Sequence, residues 1–514
     1  MKERNQKHIY SKLWKTVKSL HARLGLAECK KYILSFLFFK YLSDLWEDTH
    51  GEYAYINKDE YIKRAMKTED FILYKDCTFN YLLEHSHYPD IGEKINRALS
   101  NIESLNIEKL GGIFNNVDFN SPRFGKGSEK IKILDKLFQT FSDFDFRPSI
   151  VDNKNLALDI FSYLLEQFAT VLGKDGMEFQ TPKEITKLMG RLLFPKLGSS
   201  IYDPACGSGN LLLAVAKETM DEKGNIPEHL SLYGQEVFMD TLSICKMNFC
   251  FHGLSDQLNN IANGDTLTNP LHFEDRELKK FDIVVSNPPF SSRWNKENDL
   301  QDHWDRYKRG IPKGKADYAF ISHMIESVKE NGRMAVIVPH GVLFRGSVEG
   351  EIRKSLIKEN LLEAVIGLPA NLFHGTSIRV AVLIFNKAKG KNTDILFIDA
   401  SKEYEIGKLQ NKLVVTNIEK IVEIYNEFKS REFTRARLGD VLVDKFAFRA
   451  TFSDVEKNGF NLNISRYVDT FEEEPPVDIS VVQEEIEALE KELLNIRGRM
   501  NEYLRKLASI RTKN

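Results

Sequence analysis

The sequence of 514 residues has little of what would assign a protein to a class at once. Its five cysteines are an odd number and include no Cys-x-x-Cys pair, so neither a disulfide framework nor a zinc site is predicted, and we predict no other metal site. The formal net charge is −2, whereas a protein that binds nucleic acid alone usually has a marked basic excess. Any binding to nucleic acid is therefore expected to need a partner.

Long apolar runs are also missing. The nearest candidate, residues 32–42, is far shorter than the roughly 20 residues that span a bilayer, and it contains Lys40. Basic residues at the N-terminus lead into a mixed helical pattern, whereas a secretory signal would continue into an apolar core. We therefore expect a cytoplasmic protein with no membrane association.

The chain is too long for one ordinary core, and its patterns change twice. Residues 1–150 space their apolar positions at three and four, which predicts an N-terminal helical domain. Residues 151–475 are assigned to an α/β domain with a mostly parallel sheet, because short apolar runs alternate with helical stretches up to about residue 400. Residues 400–475 have a mixed pattern that predicts no particular elements. Residues 476–514 follow the composition break "EEEPP" and form a third segment.

Seven apolar runs predict strands of the sheet, and a further strand, the third along the chain, is expected just before Asp265. The connection between the last two runs is short and rich in Lys, Gly and Asn, so these two strands are expected to form an antiparallel edge pair. The seven runs are residues 199–203, 231–236, 281–286, 333–339, 361–369, 380–386 and 394–400.

The third segment carries apolar residues at alternating spacings of four and three. This heptad seam predicts a coiled-coil helix that pairs with another helix, because an isolated helix would expose the apolar stripe. A helix packed back on its own domain is the alternative. The seam consists of Val482, Ile486, Leu489, Leu493, Ile496, Met500, Tyr503 and Leu507.

The stretch "IYDPACGSGNLLLAVAKE" predicts a ligand-binding loop between a strand and a helix. Asp203 ends the strand, Gly207 and Gly209 let the backbone approach a ligand, and a helix starts near Asn210. The third glycine of a dinucleotide fingerprint is replaced by leucine, and no P-loop lysine follows. An acid before the turn suits a ligand with an amine, and Glu236 at the end of the next strand can accept hydrogen bonds from ribose hydroxyls.

Together these two acids suggest S-adenosyl-L-methionine as the cofactor. Taken singly, Asp203 could merely cap the turn and Glu236 could be a solvated acid at a strand end. Asp265, in "ANGDTL" after the expected third strand, is placed to meet the adenine amino group of the cofactor, although Asn-Gly-Asp is also an ordinary turn.

The stretch "IVVSNPPF" runs from a buried strand into Asn287, Pro288, Pro289 and Phe290. This resembles the catalytic signature of the DNA amino-methyltransferases, Asn/Asp/Ser-Pro-Pro-aromatic. Upstream, "MEFQTPKEI" is similar to the Phe-x-Thr-Pro segment that covers the methionine end of the cofactor in the adenine-N6 group. The resemblance implies cofactor contacts for Glu178, Phe179, Gln180, Thr181, Pro182 and Lys183.

Nearly the whole chain resembles the modification (methyltransferase) subunit of type I restriction-modification systems. The matching stretches are "LWK", "FLFFKYLSD", "DPACGSGNLL", "GLPANLFHGTSI", "IDASKEY", "NLNISRYVD" and the heptad tail. The resemblance implies a class I S-adenosylmethionine-dependent methyltransferase fold, Rossmann-like with a mostly parallel seven-stranded sheet. As partners it implies a specificity subunit, a second copy of this chain in the same complex, an optional restriction subunit and double-stranded DNA.

The chemistry of an adenine-N6 methyltransferase explains the motif. The N6 lone pair is delocalised into the ring, so the site must favour a more tetrahedral nitrogen by accepting both of its hydrogens. The side-chain oxygen of Asn287 and the carbonyl of Pro288 are the expected acceptors, on a backbone that proline makes rigid. Phe290 is expected to stack on an adenine that has left the duplex.

The sequence departs from many relatives at two places. It has Ser208, Gly209 and Asn210 where Ala-Gly is common, and Phe179-Gln180 where two aromatic residues precede Thr-Pro. Both changes put side-chain contacts with the cofactor in doubt more than backbone contacts.

The segment after the motif contains a basic run of residues 306–315 with no acid. Charge and adjacency to the motif predict a loop that touches DNA phosphates beside the flipped base. A solvated surface loop is the alternative. The candidate contacts are Arg306, Lys308, Arg309, Lys313 and Lys315.

Two other functions compete with DNA methylation. Asn-Pro-Pro-aromatic also suits a methyltransferase that acts on protein glutamine or on RNA, but the helical N-terminal region and the coiled-coil tail argue against it. A structural subunit that has lost its activity is the second alternative, and the intact Asp203, Asn287 and Phe290 argue against that.

Overall fold

The computed structural model describes residues 2–50, 71–150, 155–172, 181–219, 226–227, 229–294, 302–408, 410–430, 441–470 and 479–511. The chain divides into two compact units, Met1–Val468 and Asp469–Asn514. The finer division of the first unit at residue 150 stays a prediction. Within the described residues, no helix has both the length and the apolar composition needed to cross a bilayer.

The described residues of the first third of the chain form helices and the loops between them, as predicted. Its core is built of aromatic rings around Phe36 of α2, which is 1% exposed and contacts the rings of Phe79, Phe119, Phe138 and Phe141. The helices before the sheet are α1 Lys2–Leu24, α2 Leu26–His50, α3 Phe79–Glu84, α4 Ile91–Leu105, α5 Ile107–Leu110, α6 Ser128–Phe141, α7 Leu156–Leu172 and α8 Lys183–Leu193.

The remaining helices alternate with strands or follow them. Because their apolar residues face the sheet, they cover it in the manner of an α/β fold. They are α9 Asn210–Lys217, α10 Met239–Phe251, α11 Asp317–Glu326, α12 Ser347–Lys358, α13 Val415–Lys429 and α14 Phe452–Lys457. A separate helix, α15 Ile479–Arg511, belongs to the second unit.

Among the described residues, the main sheet has ten strands, and they lie in the order β9-β10-β8-β6-β7-β5-β4-β1-β2-β3. Each of the seven predicted runs contains a strand, and the additional strand predicted just before Asp265 is β3. The strands are β1 Ser200–Asp203, β2 Ser231–Glu236, β3 Ile261–Asn263, β4 Phe281–Ser286, β5 Val328–Pro339, β6 Leu362–Gly367, β7 Val380–Asn386, β8 Ile395–Asp399, β9 Val441–Val443 and β10 Ala447–Ala450.

The edge of the sheet differs from the prediction in two respects. Strands β7 and β8 are not neighbours, because β7 inserts antiparallel between β5 and β6, while β8 lies parallel to β6 on its other side. The predicted antiparallel pair of these two strands is therefore wrong. The sheet also exceeds seven strands, since β8, β10 and β9 extend it beyond β6.

Strands β3, β2, β1, β4 and β5 run parallel to one another. The carboxyl ends of parallel strands meet at one edge of a sheet, where open α/β folds bind ligands. Asp203, Glu236 and Ser286, the last residues of β1, β2 and β4, consequently lie at the same edge.

The second unit contains α15, a helix of 33 residues. Its heptad positions are exposed wherever a side chain is described, with Leu489 64% and Tyr503 60% exposed. Within its own unit, the helix thus has an uncovered apolar stripe.

Candidate functional site

Asp203 lies at the end of β1 and is 1% exposed. Its Oδ1 accepts hydrogen bonds from the Ser286 hydroxyl at 2.7 Å and from the Ala205 backbone N–H at 2.9 Å. Burial raises the pKa of the Asp203 carboxyl to about 7, and the hydrogen bonds oppose this rise. A buried carboxyl that can ionise near neutrality is suited to receiving a cationic ligand.

Ser286 was not singled out in the sequence, yet it joins the two halves of the site. It is fully buried, ends β4 and directly precedes the Asn-Pro-Pro-Phe motif. Its bond to Asp203 therefore connects the turn after β1 with the motif after β4. The available signal was its position, a hydroxyl at the carboxyl end of a central strand.

The loop after β1 depends on glycine at two positions. Gly207 and Gly209 have φ values of +54° and +78°, in the left-handed region that side chains disfavour. A Cβ at Gly209 would also lie 2.8 Å from Cys245 Sγ and 3.0 Å from Phe249 Cε2. The backbone can therefore make this turn only because both residues lack a side chain.

Glu236 holds the loop in place. Its Oε2 accepts the Gly207 N–H at 3.0 Å, and its Oε1 accepts the Phe238 N–H at 2.9 Å. A carboxylate has about four acceptor positions, so one group can both hold a loop and accept hydrogen bonds from ligand hydroxyls. Glu236 thus shapes the loop as well as lining the cavity, a role that the sequence did not predict.

Asn248 of α10 is a second residue that the sequence analysis missed. Its Nδ2 donates to the Ser208 carbonyl at 2.9 Å and to Asn210 Oδ1 at 2.8 Å. The Asn210 side chain, one of the polar features by which this loop differs from many relatives, therefore has a structural partner on the next helix, whereas Ser208 is held there through its backbone carbonyl.

The Asn287 side chain has one paired and one unpaired end. Its Nδ2 donates to Thr181 Oγ1 at 2.9 Å. Its Oδ1 is buried and accepts no hydrogen bond in the part of the chain that the structure describes. A buried acceptor without a donor costs about 1 to 3 kcal/mol, so this oxygen favours a ligand that brings an N–H group.

The other residues of the motif differ in exposure: Pro288 is buried, Pro289 exposed and Phe290 partly buried. The Phe290 ring contacts Phe373 edge to face, with centroids 5.4 Å apart and planes 80° apart. Phe373 belongs to the loop between β6 and β7 and fixes the orientation of the Phe290 ring. The sequence indicated Phe373 only through the stretch "GLPANLFHGTSI", which resembles the modification subunits.

A cavity of about 440 Å³ brings most of the predicted residues together. Val237 and Phe238, each 52% exposed, form an apolar part of its wall. The N-terminal helices contribute Lys31 from α2 and Leu165 from α7. The predicted residues in the wall are Thr181, Asp203, Gly207, Ser208, Asn210, Glu236, Asp265, Asn287, Pro288, Pro289 and Phe290.

The remaining predicted cofactor residues divide into three groups. Pro182 and Lys183 are outside the wall, and Lys183 Nζ pairs with Glu166 at 3.4 Å. Gly209 is also outside the wall and acts by starting α9. The predicted residues Glu178, Phe179 and Gln180 lie outside the described residues.

Asp265 lines the cavity and is exposed. Its Oδ1 accepts the Leu267 N–H at 3.0 Å, and its Oδ2 accepts the Thr268 hydroxyl at 3.0 Å. The carboxylate therefore shapes the turn after β3 while remaining accessible to a ligand.

Two of the five predicted DNA contacts are contradicted by burial. The Arg306 side chain is 1% exposed, pairs with Asp302 at 2.6 Å and donates to the backbone carbonyls of residues 266 and 267. The Arg309 side chain is 6% exposed and pairs with Glu326 and Glu359. Both guanidinium groups therefore bind protein acceptors and are not available to phosphate.

The other three predicted DNA contacts, which are lysines, are not contradicted by burial. Lys308 is 43% exposed and pairs with Glu326 at 3.1 Å. Lys313 and Lys315 are exposed. Basic composition alone had not distinguished these surface cations from the buried arginines.

The chain matches two family models. Residues 152–475 match the N-6 DNA methylase family, and residues 9–141 match the HsdM N-terminal domain. Among curated proteins, it is 34% identical to the type I restriction enzyme MjaVIII methylase subunit of Methanocaldococcus jannaschii, over 90% of this chain and 79% of the relative. It is 29% identical to the MpnII methylase subunit of Mycoplasma pneumoniae, over 96% of this chain and 95% of that one.

A solved structure shares the fold. The type I restriction-modification methyltransferase subunit of Streptococcus thermophilus superimposes with a TM-score of 0.78 at 31% identity. The match covers 90% of this chain and 99% of that structure.

Proposed function

Since the chain belongs to the N-6 DNA methylase family, as a methylase subunit of type I restriction-modification systems, we propose that it methylates a flipped adenine with S-adenosylmethionine. The fold is that of a class I methyltransferase, and the enzyme class is adenine-specific DNA methyltransferase. The observation that carries the proposal is the buried, unpaired Oδ1 of Asn287 in the wall of the cavity.

The residues of the cavity fit S-adenosylmethionine. Its volume of about 440 Å³ lies in the range of small-ligand sites. Asp203 would face the cationic methionine end, and Glu236 and Asp265 would accept hydrogen bonds from the ribose and the adenine amino group. When bound, the cofactor would supply a methyl group on a cationic sulfur: as the adenine nitrogen bonds to the methyl carbon, the carbon–sulfur bond breaks and the sulfur leaves as a neutral thioether.

The motif prepares the nucleophile. Asn287 Oδ1 and the Pro288 carbonyl accept the two hydrogens of adenine N6 and favour a tetrahedral nitrogen with a localised lone pair. The bond from Asn287 Nδ2 to Thr181 orients the amide so that Oδ1 faces the base. Proline at 288 and 289 contributes no N–H that could compete for these oxygens.

Phe290 stacks on the face of the extruded base. Its ring, oriented by Phe373, offers an aromatic surface for stacking, and stacking helps to offset the few kcal/mol that base extrusion costs. Extrusion is required because a base inside the duplex cannot present N6 in line with a methyl donor.

Target recognition is assigned to a partner. The net charge of −2 gives the chain little electrostatic affinity for DNA of its own. We propose that the exposed stripe of α15 docks on helices of a specificity subunit, in a complex with two copies of this chain and, in some systems, a restriction subunit. Lys308, Lys313 and Lys315 are proposed to contact phosphates.

The test is methyl transfer by the complex. The chain is co-purified with its specificity subunit and incubated with labelled S-adenosylmethionine and duplex DNA, RNA or protein. The proposal predicts label in DNA alone, on N6 of adenine after nucleoside analysis. Label in RNA or on protein glutamine, or cofactor binding without transfer, would contradict it.

A further inference from the structure

Two cations face each other beside the Asn-Pro-Pro-Phe motif. Arg293 and Lys315 are paired residues of a short antiparallel ladder, in which Trp294 pairs with Gly314. Residues directly opposite in such a ladder hold their Cβ atoms roughly 4.5 to 5.5 Å apart on one face of the ribbon. Both cationic residues are exposed, so two positive charges stand next to each other on the surface.

The ladder is anchored to the core on both strands. Trp294 is 6% exposed and packs against Tyr307, with ring centroids 5.8 Å apart. On the other strand, the Ala316 N–H donates to the Ser292 carbonyl at 3.0 Å. The two cations therefore cannot separate by shifting the strands.

The same anchor connects the pair with the motif. Ser291, which follows Phe290, donates its N–H to Asp317 at 3.0 Å, and Asp317 pairs with Arg345 at 2.6 Å. Lys315 Nζ lies 3.4 Å from Ser291 Oγ. The pair is thus connected to Ser291, the residue that directly follows the motif.

Like charges directly opposite each other destabilise a ladder. No ion pair with an acid relieves this repulsion among the residues that the structure describes, and the hydroxyl of Ser291 is the one side-chain partner of Lys315 there. An anion held between the two cations would remove the repulsion. Arginine can bind two phosphate oxygens with its fork, and lysine adds a compact charge.

We propose that Arg293 and Lys315 together hold one backbone phosphate of the DNA strand that carries the target adenine. The inference rests on the proposed function and deepens it, because it assigns a shared phosphate site and adds Arg293, which the basic run does not include. Holding this phosphate next to the motif fixes the register of the strand while the base enters.

The test is the salt dependence of DNA binding by the complex with the specificity subunit. The variants are Arg293→Gln, Lys315→Gln and the double variant. Lys391→Gln is the matched control, since Lys391 is an exposed lysine in the connection after β7, at the opposite edge of the sheet. One phosphate contact contributes about 0.9 to the slope of log K against log salt concentration.

The shared site predicts that the double variant lowers the slope by about 0.9 and that Lys391→Gln leaves it unchanged. A fall of about 1.8 would mean two separate phosphates, and an unchanged slope would mean none; either result would overturn the proposal. If the wild-type complex methylates adenine but the double variant has the same slope as wild type, the proposed phosphate site is wrong and the proposed function stands. If it transfers no methyl group, the proposed function fails too.

A charge reversal gives a second readout. Without DNA, Arg293→Glu replaces the repulsion by an ion pair with Lys315, so the unfolding midpoint should be at least that of wild type. DNA binding by this variant should be weaker than by Arg293→Gln. A lowered midpoint, or binding as tight as wild type, would contradict the shared site.

Discussion

Protonation of Asp203 should make cofactor binding depend on pH. Burial raises the pKa of this carboxyl to about 7 in the protein without cofactor, so near neutrality about half of the molecules carry a neutral Asp203. A cationic ligand favours the carboxylate and lowers the pKa again. Binding therefore releases a proton, and affinity rises with pH until the free protein is fully ionised.

The magnitude follows from the ionised fraction. With a pKa of about 7, the carboxylate fraction of the free protein rises from about 0.1 at pH 6 to about 0.9 at pH 8. S-adenosylmethionine affinity should therefore rise about tenfold over this interval if the pKa in the complex lies well below 6. Above pH 8 the contribution of Asp203 should be constant.

Calorimetric titration at several pH values, in buffers of different ionisation enthalpy, measures both the affinity and the released proton. Asp203→Asn is the control. The α-amino group of the ligand titrates near 7.7 to 8.0, so it makes the affinity of both proteins depend on pH in the same way. The difference between wild type and variant isolates Asp203. Equal pH dependence in the two proteins, or an affinity that falls from pH 6 to pH 7, would show that ionisation of Asp203 does not control cofactor affinity.

Three further predictions concern the loop, the basic run and the tail. Gly209→Ala should lower the free energy of unfolding by at least about 1 to 2 kcal/mol, measured by urea denaturation, because a left-handed residue gains a Cβ that meets Cys245; unchanged stability would contradict this. Arg306→Met should lower the free energy of unfolding by about 3 kcal/mol because it breaks a buried ion pair, whereas Lys308→Met should lower it by less than about 1 kcal/mol. Equal losses would argue against a buried ion pair at Arg306. Deleting residues 478–514 should release the specificity subunit in a pull-down without changing the unfolding midpoint of the first unit, and a retained complex would refute docking through α15.

The parts of the site that local sequence determines could be predicted. Gly207 and Gly209 mark a turn that only glycine can make, and Asn287 with its two prolines leaves the backbone few conformations. The strand before each stretch is a short apolar run, and parallel strands bring their carboxyl ends together whatever their separation in the chain.

The parts of the site that depend on partners distant in the sequence could not be predicted. Arg306 and Arg309 look like surface cations in a basic run, but acids up to 50 residues away, such as Glu359, pair with them. The place of β7 between β5 and β6 is likewise set by non-local pairing, so the short connection to β8 was misleading. Asn248 and Phe373 position the loop and the aromatic ring through contacts that no spacing reveals.

The pair of oxygen acceptors at residues 287 and 288 is central to the proposed function, and one comparison tests these acceptors most directly. The complex with the specificity subunit is prepared with wild-type chain and with Asn287→Ala, and N6-methyladenine in duplex DNA is measured by mass spectrometry while cofactor binding is measured by calorimetry. We expect the variant to bind S-adenosylmethionine as wild type does and to form N6-methyladenine at least about a hundredfold more slowly, as when a group that stabilises the transition state is removed. Methylation by the variant at the wild-type rate would contradict it.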